Sequence, residues 1–347
     1  MPLVTDYRQV KEIYAEAAEH GIALPVFCAE DRETLEAILA AAMMLGQEIG
    51  VPDLPVIPAW TCRYPPRGQM RLLTHCGDPV LSMHMMFSDL ALLGSQGPYA
   101  RLRILPHLDH AFPWLDGDML EAFADRFASV MCDASEKPLD ENIRLTRQYV
   151  EKVKGRVVVE GAVDEIREAG GSEAADSLTT PAQARKFLDE TGVDIIVPNV
   201  GTEHRATAGK AQYHPEQARA IRSVTGNVLC LHGATSLALK DMSQLPADGF
   251  VKVNIYTALA VSGGQAVART VLDNLGNIFP ETELRDLIQR KILGENTVLP
   301  DYGGTQLPIG PKLAKVANPP RRDAWFYAVR ERCRSYMDLL HYRRFTG

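Results

Sequence analysis

The chain has no excess of positive charge. Its 347 residues carry 37 basic against 44 acidic side chains, a net charge of −7. The basic footprint that nucleic acid requires is missing, so no nucleic-acid partner is expected. Long hydrophobic runs are also lacking. The longest apolar stretch, Ala37 to Leu45, is far too short to cross a bilayer, so no membrane partner is expected. The opening MPLVTDYRQVKEIYAEAAEHG has no charged-then-apolar layout of a signal peptide. Cysteines are few and scattered: Cys28, Cys62, Cys76, Cys132, Cys230 and Cys333 show no metal-type pairing. They read as reduced thiols, and the expected location is cytoplasmic. No low-complexity linker divides the chain, and 46% hydrophobic against 23% charged residues excludes disorder.

What is present is a recurring unit, a β-rich apolar run followed by an amphipathic stretch. Eight such runs occur: Leu24–Ala29, Pro55–Trp60, Arg103–His110, Ser129–Asp133, Arg156–Val163, Val193–Val200, Val228–Ala234 and Phe250–Thr257. Most are continuous rather than alternating, as strands covered on both faces should be. Helical patterns lie between them, at Glu33–Leu45 after the cap candidate Asp31, Glu141–Lys154, Ala182–Glu190, Pro215–Ser223 and Gln265–Leu275. Eight strands with interleaved helices predict an α/β chain folded as one (β/α)8 TIM barrel over residues 1–347. Two connections exceed simple links, Thr61 to Ala100 and Asp164 to Thr180, and predict extended βα loops. The tail from Pro319 mixes seven arginines with Trp325, Phe326 and Tyr327. It reads as a terminal helix with a solvated basic face, with phosphate binding or a subunit contact as the alternative.

Barrel chemistry gathers where strands end. There the sequence places His107-Leu108-Asp109-His110, Asp133, Glu160, Gly201-Thr202-Glu203-His204, His232-Gly233, Asn254 and Thr257. A lone histidine is more often a hydrogen-bonded core or rim residue than a ligand. Three at the same end of three strands of one barrel converge on one mouth, and three imidazoles with open positions suit a catalytic zinc. His110, His204 and His232 are therefore ligand candidates. His107, three residues before His110, is expected to point the other way. Asp109 reads equally as a general acid/base or as a carboxylate orienting an imidazole. Glu173, in a glycine-rich loop, is either solvated or delivered as a base when that loop closes. Gly233-Ala234-Thr235-Ser236 could cradle an anion at a helix start beside Asn254 and Thr257.

These residues resemble the class II, metal-dependent fructose-bisphosphate and tagatose-bisphosphate aldolases over nearly the whole chain. Ser129-Val130-Met131-Cys132-Asp133-Ala134-Ser135 followed by Glu141-Asn142-Ile143 is similar to the family's SVMIDGS…ENI segment. HLDHA at 107–111 is similar to its HLDHG metal motif. TGVD, GTEH, LHGATS and VKVNIYT follow in the family's order. The resemblance implies His110, His204 and His232 as ligands of zinc or another divalent metal. It implies Asp109 as the group that moves the hydroxyl proton at the cleaved bond, and Glu173 as the group that exchanges the proton on the enediolate carbon. Gly233, Thr235, Asn254 and Thr257 match positions that bind the ketone end and its phosphate, with Ser236 beside them. It also implies a homodimer or homotetramer.

The departures surround the expected pocket. Ala162 stands where the family has a second glutamate, Arg205 where it has glycine, and Ser236 where it has a flexible glycine. Val26-Phe27-Cys28-Ala29-Glu30-Asp31 replaces AFNVNN, and the Thr61–Ala100 segment is longer. Arg205 with Lys210 could bind a phosphate or a sugar carboxylate. The expectation is a zinc-dependent lyase of carbohydrate metabolism. It would cleave a ketose, phosphorylated in the main reading, to a three-carbon ketone such as dihydroxyacetone phosphate and an aldehyde, through a metal-stabilised enediolate. The alternatives are a metal-dependent hydrolase or isomerase on the same barrel, and a non-catalytic sugar-phosphate-binding homologue. The substrate's stereochemistry does not follow from the sequence.

Overall fold

A computed structural model describes residues 3–65, 68–165, 178–203, 212–294 and 318–345. They fall into two compact units, residues 1–258 with 330–347 and residues 259–329. The first unit carries nine parallel strands among the described residues: β1 (Leu24–Cys28), β2 (Pro55–Thr61), β3 (Arg103–Ile104), β4 (His107–Ala111), β5 (Ser129–Cys132), β6 (Val158–Ala162), β7 (Ile195–Val197), β8 (Leu229–Leu231) and β9 (Phe250–Ile255). Eight of them close into a ring, because β1 pairs with both β2 and β9. This is the (β/α)8 TIM barrel that the sequence pattern predicts.

Burial explains why the strands read as continuous apolar runs. Every residue of β1, β2, β4, β5, β6 and β9 is buried, with helices on the outside and side chains filling the inside. The covering helices include α1 (Tyr7–Glu19), α2 (Arg32–Ile49), α3 (Pro79–Ser95), α4 (Pro113–Ala122), α5 (Leu139–Val153), α6 (Pro181–Thr191) and α7 (Pro215–Thr225). Local signals set their ends. Asp31 caps α2 by accepting from Thr34 N at 2.7 Å, as expected from its position. Thr180 and Gln183 form a reciprocal capping box at α6, and Gly192 closes that helix in the left-handed conformation.

Two expectations need adjusting. The run Arg103–His110 is not one strand: β3 pairs with the start of β2, and β4 with its end. Pro106 lies in the gap and has no N–H to give to a ladder, which breaks the run there. The long connection from Thr61 to Ala100 is largely helical. Asp78 accepts from Leu81 N at 2.8 Å and Pro79 opens α3, a start signal that was present in the sequence. The tail does form a helix, Asn318–Leu339. Within the first unit, Arg334 and Arg343 both pair with Glu48, so part of its basic charge is spent on an ordinary surface contact.

The second unit holds the helical pieces Leu275–Ile278 and Glu281–Gln289 and parts of two longer helices. Within it, Gly263 lies so close to the Trp325 ring that an added Cβ would come within 2.5 Å. No described helix is long and apolar enough to cross a membrane.

Candidate active site

Alternation along β4 puts His107 and Asp109 on the same face, inside the barrel, where both are buried. His110 should then point outward, and it does not. Its backbone takes φ +45°, and the pairing of β4 with β5 slips between Leu108 and Ala111. The irregularity re-aims the imidazole at the mouth, at a cost of roughly 1–2 kcal/mol for a left-handed residue with a Cβ. His107 and His110 therefore both lie within the barrel, which corrects the expectation that they point opposite ways.

His232 follows β8 and is set by the turn after it. Gly233 has φ +74°, and a Cβ there would fall 2.6 Å from the Glu203 carbonyl oxygen, so only glycine fits. The His110 and His232 rings meet edge to face with centroids 4.8 Å apart. One ligand atom each from Asp109, His110 and His232 lies within 4.8 Å of the others, and all three residues are buried. Tyr64 stacks on His110 at 4.5 Å, almost parallel.

Each imidazole is backed by a carboxylate. His110 Nδ1 is 2.7 Å from Asp133 Oδ2, and Asp133 is itself held by the amide and hydroxyl of Ser135 at 3.1 and 2.6 Å. His232 Nε2 is 3.0 Å from Glu160 Oε1. Such partners fix the tautomer, so a metal would be met by Nε2 of His110 and Nδ1 of His232. Burial alone would raise the Asp133 pKa, but the hydrogen bond and charge of His110 together with the Ser135 hydrogen bonds outweigh it and lower it. Burial pushes Glu160 upward as well, and the Lys252 ammonium beside it holds it far below the usual carboxylate range. Both carboxylates are therefore ionised acceptors. The residues fit a divalent metal: two oriented imidazoles converge at a buried point, with the Asp109 carboxylate close by.

Asp109 is placed differently. Asn254 Nδ2 donates to its Oδ1 at 2.9 Å and the Cys28 thiol lies 3.5 Å from Oδ2. Burial works to raise its pKa, but the imidazoles of His110, His107 and His232 hold it well below the usual value. The carboxylate that orients His110 is Asp133, which leaves Asp109 as an ionised group facing the same point as the two rings.

A second polar layer lies beneath. Lys252 Nζ sits 2.5 Å from Glu160 Oε2 and 3.0 Å from His107 Nε2, and His107 Nδ1 reaches Ser129 Oγ at 2.8 Å. Lys252, Glu160 and His107 are all fully buried.

The remaining candidates are distributed as follows. Asn254 is in the site through Asp109. The stretch Ala234–Ser236 is a single 3-10 turn rather than the start of a helix, and Ser236 spends its amide and hydroxyl on Gly233 O at 3.0 and 2.7 Å. Thr235 is half-buried on that turn, and Thr257 is the first residue of the helix Thr257–Leu272. Glu173, His204 and Arg205 lie outside the described residues. Asp133 and Glu160 stood out in the sequence as polar endings of apolar runs, but their pairing with particular histidines did not.

Oriented imidazoles at the C-terminal mouth of a closed barrel define the class: an enzyme scaffold built for metal-assisted chemistry. Comparison with known proteins narrows it. The profile of the family "Fructose-bisphosphate aldolase class-II" matches residues 8–298, and the chain belongs to that family of aldolases, which are lyases. It is 28% identical over 284 residues to the fructose-bisphosphate aldolase of Staphylococcus epidermidis, covering 80% of this chain and 89% of the relative. The enzyme of the same name from Staphylococcus aureus is equally similar, at 28% over 284 residues. Among solved structures, fructose-bisphosphate aldolase from Campylobacter jejuni superposes with a TM-score of 0.73 at 19% identity, over 97% of this chain and 95% of that one. The YdjI aldolase of Escherichia coli K12 gives 0.60 at 21%, over 96% of each. These two likenesses bear on the fold.

Proposed function

We propose that this protein is a zinc-dependent aldolase that reversibly cleaves a ketose, phosphorylated in the main reading, to a three-carbon ketone such as dihydroxyacetone phosphate and an aldehyde. The observation that carries the reading is the meeting of Asp109, His110 and His232 within 4.8 Å, with Asp133 and Glu160 behind the two rings. His110, His232 and, by family position, His204 hold the metal. When bound, a divalent ion there supplies the Lewis acidity that polarises a ketone oxygen and offsets the negative charge developed as the bond breaks.

The chain's own groups do the rest. Asp109, ionised and steadied by Asn254, accepts the proton of the hydroxyl on the cleaved carbon. Glu173 exchanges the proton on the three-carbon fragment, a separate atom that needs a separate group. Gly233, Thr235, Ser236, Asn254, Thr257 and Arg205 receive the ketone end and its phosphate, and the start of the helix at Thr257 adds favourable backbone polarity for an anion. Lys252 does not serve as a Schiff-base nucleophile. Burial would lower its pKa, but Glu160 keeps it raised and the amine protonated. Six free cysteines accord with a reducing cytoplasm, and a homodimer or homotetramer is the assembly we propose.

The test is a screen of sugar phosphates and sugar acids for release of a three-carbon ketone. We expect one ketose to be cleaved, borohydride with substrate to leave the enzyme active, and Glu173→Ala to abolish turnover. Release of a hydrolysis product instead, with Glu173→Ala active, would establish the hydrolase alternative in its place.

A further inference from the structure

Below the mouth lies a second set of metal-type donors. Glu160, Cys230 and His232 bring ligand atoms within 4.8 Å of one another, all of them buried. This set shares His232 with the mouth, but through the other ring nitrogen, Nε2, which faces Glu160. The lower set already has a cation. Lys252 Nζ is 2.5 Å from Glu160 Oε2, while the other oxygen of the same carboxylate is 3.0 Å from His232 Nε2. His107 Nε2, 3.0 Å from Nζ on another side, anchors the ammonium in place. Cys230 is turned to Asn254 Oδ1 at 3.5 Å. A divalent ion placed beside a buried ammonium is repelled by it, and the low effective dielectric of the interior strengthens that repulsion. The lower set is closed to metal for as long as the ammonium stays.

We propose that Lys252 is a resident cation of the barrel interior: it keeps metal out of the Glu160–Cys230–His232 set and, through Glu160, holds His232 with Nε2 turned down, so that one divalent ion is taken, at the mouth. The inference rests on reading the mouth as a metal site. Lys252 touches neither substrate nor metal, so it is a positioning residue. Its effect passes through one carboxylate whose two oxygens are divided between the ammonium and the imidazole.

The test loads the full-length protein with cobalt(II) and reads bound metal per chain, affinity and absorption. The wild type should take one cobalt with no thiolate-to-cobalt charge-transfer band. Lys252→Met should take two, with the band present, and Cys230→Ser in that background should remove the band. Lys252→Met alone leaves the buried Glu160 carboxylate without its cation; the pair Lys252→Met with Glu160→Gln removes both charges, avoids that penalty and keeps the proposal testable where the single variant does not fold. The paired variant should keep one site with affinity weakened about 10–100-fold, as loss of a supporting partner does. One cobalt on the wild type together with wild-type affinity in the paired variant overturns the proposal and leaves the metal reading intact, as does a single cobalt on a folded Lys252→Met. A charge-transfer band in the wild type overturns it too. A wild type that binds no cobalt contradicts the metal reading itself, and the proposal falls with it.

Discussion

His107 and His110 stand three residues apart on β4 and both are buried, yet they belong to different layers. His107 lies in the lower one, in a chain of partners that runs from Ser129 through His107 to Lys252 and Glu160 inside the barrel. His110 lies at the mouth, where Asp133 engages one nitrogen and the ring converges with Asp109 and His232. The lower layer consumes its charges internally. The upper layer aims them at a common point, and that difference separates a support from a site.

Three substitutions or conditions would break or sharpen this contrast. Asp109→Asn keeps the size of the side chain and removes its basicity. If the upper layer performs the proton transfer, turnover should fall by about 10²–10⁴-fold while metal content stays unchanged, measured by steady-state kinetics beside metal analysis. Asp133→Asn should act on the metal instead. It removes the charged partner of His110, and metal affinity should drop about 10–100-fold in a chelator competition.

The smallest effect belongs to the lower layer. Burial first, and Lys252 second, lower the His107 pKa, so this ring stays neutral in the folded protein. An unfolded histidine protonates near pH 6.5. Below that value the unfolded chain takes up a proton that the folded one refuses. The stability due to a neutral His107 is thus fully present above about pH 6.5 and declines as the pH falls toward the folded pKa, by at most about 1.4 kcal/mol per pH unit. His107→Gln should flatten that slope in urea unfolding of the metal-free protein. An unchanged slope would remove His107 from the account.

The sequence made the barrel legible because parallel strands are buried on both faces and leave apolar runs, such as VVEGA at 158–162. It also located Asp109, His110 and His232, through their place after such runs and through the family motifs around them. It could not show that His110 escapes the alternation of its strand. That depends on a positive φ and a slipped ladder, which neither histidine nor its neighbours encode on their own. It could not pair the histidines with their carboxylates either. Glu160 and His232 are 72 positions apart, and Lys252 and His107 are 145 apart. Only closure of the ring brings them together. Lys252 read as a lysine in an apolar strand, and its purpose becomes visible only beside Glu160.

Cleavage is expected to depend on one divalent ion held by His110 and His232, with Asp109 beside it as the proton acceptor. Metal analysis of the purified protein before and after exhaustive chelation, with the cleavage rate followed in parallel, tests this most directly. We expect one ion per chain, loss of both ion and cleavage on chelation, and return of both with zinc or cobalt. Undiminished cleavage by protein stripped of metal would contradict it.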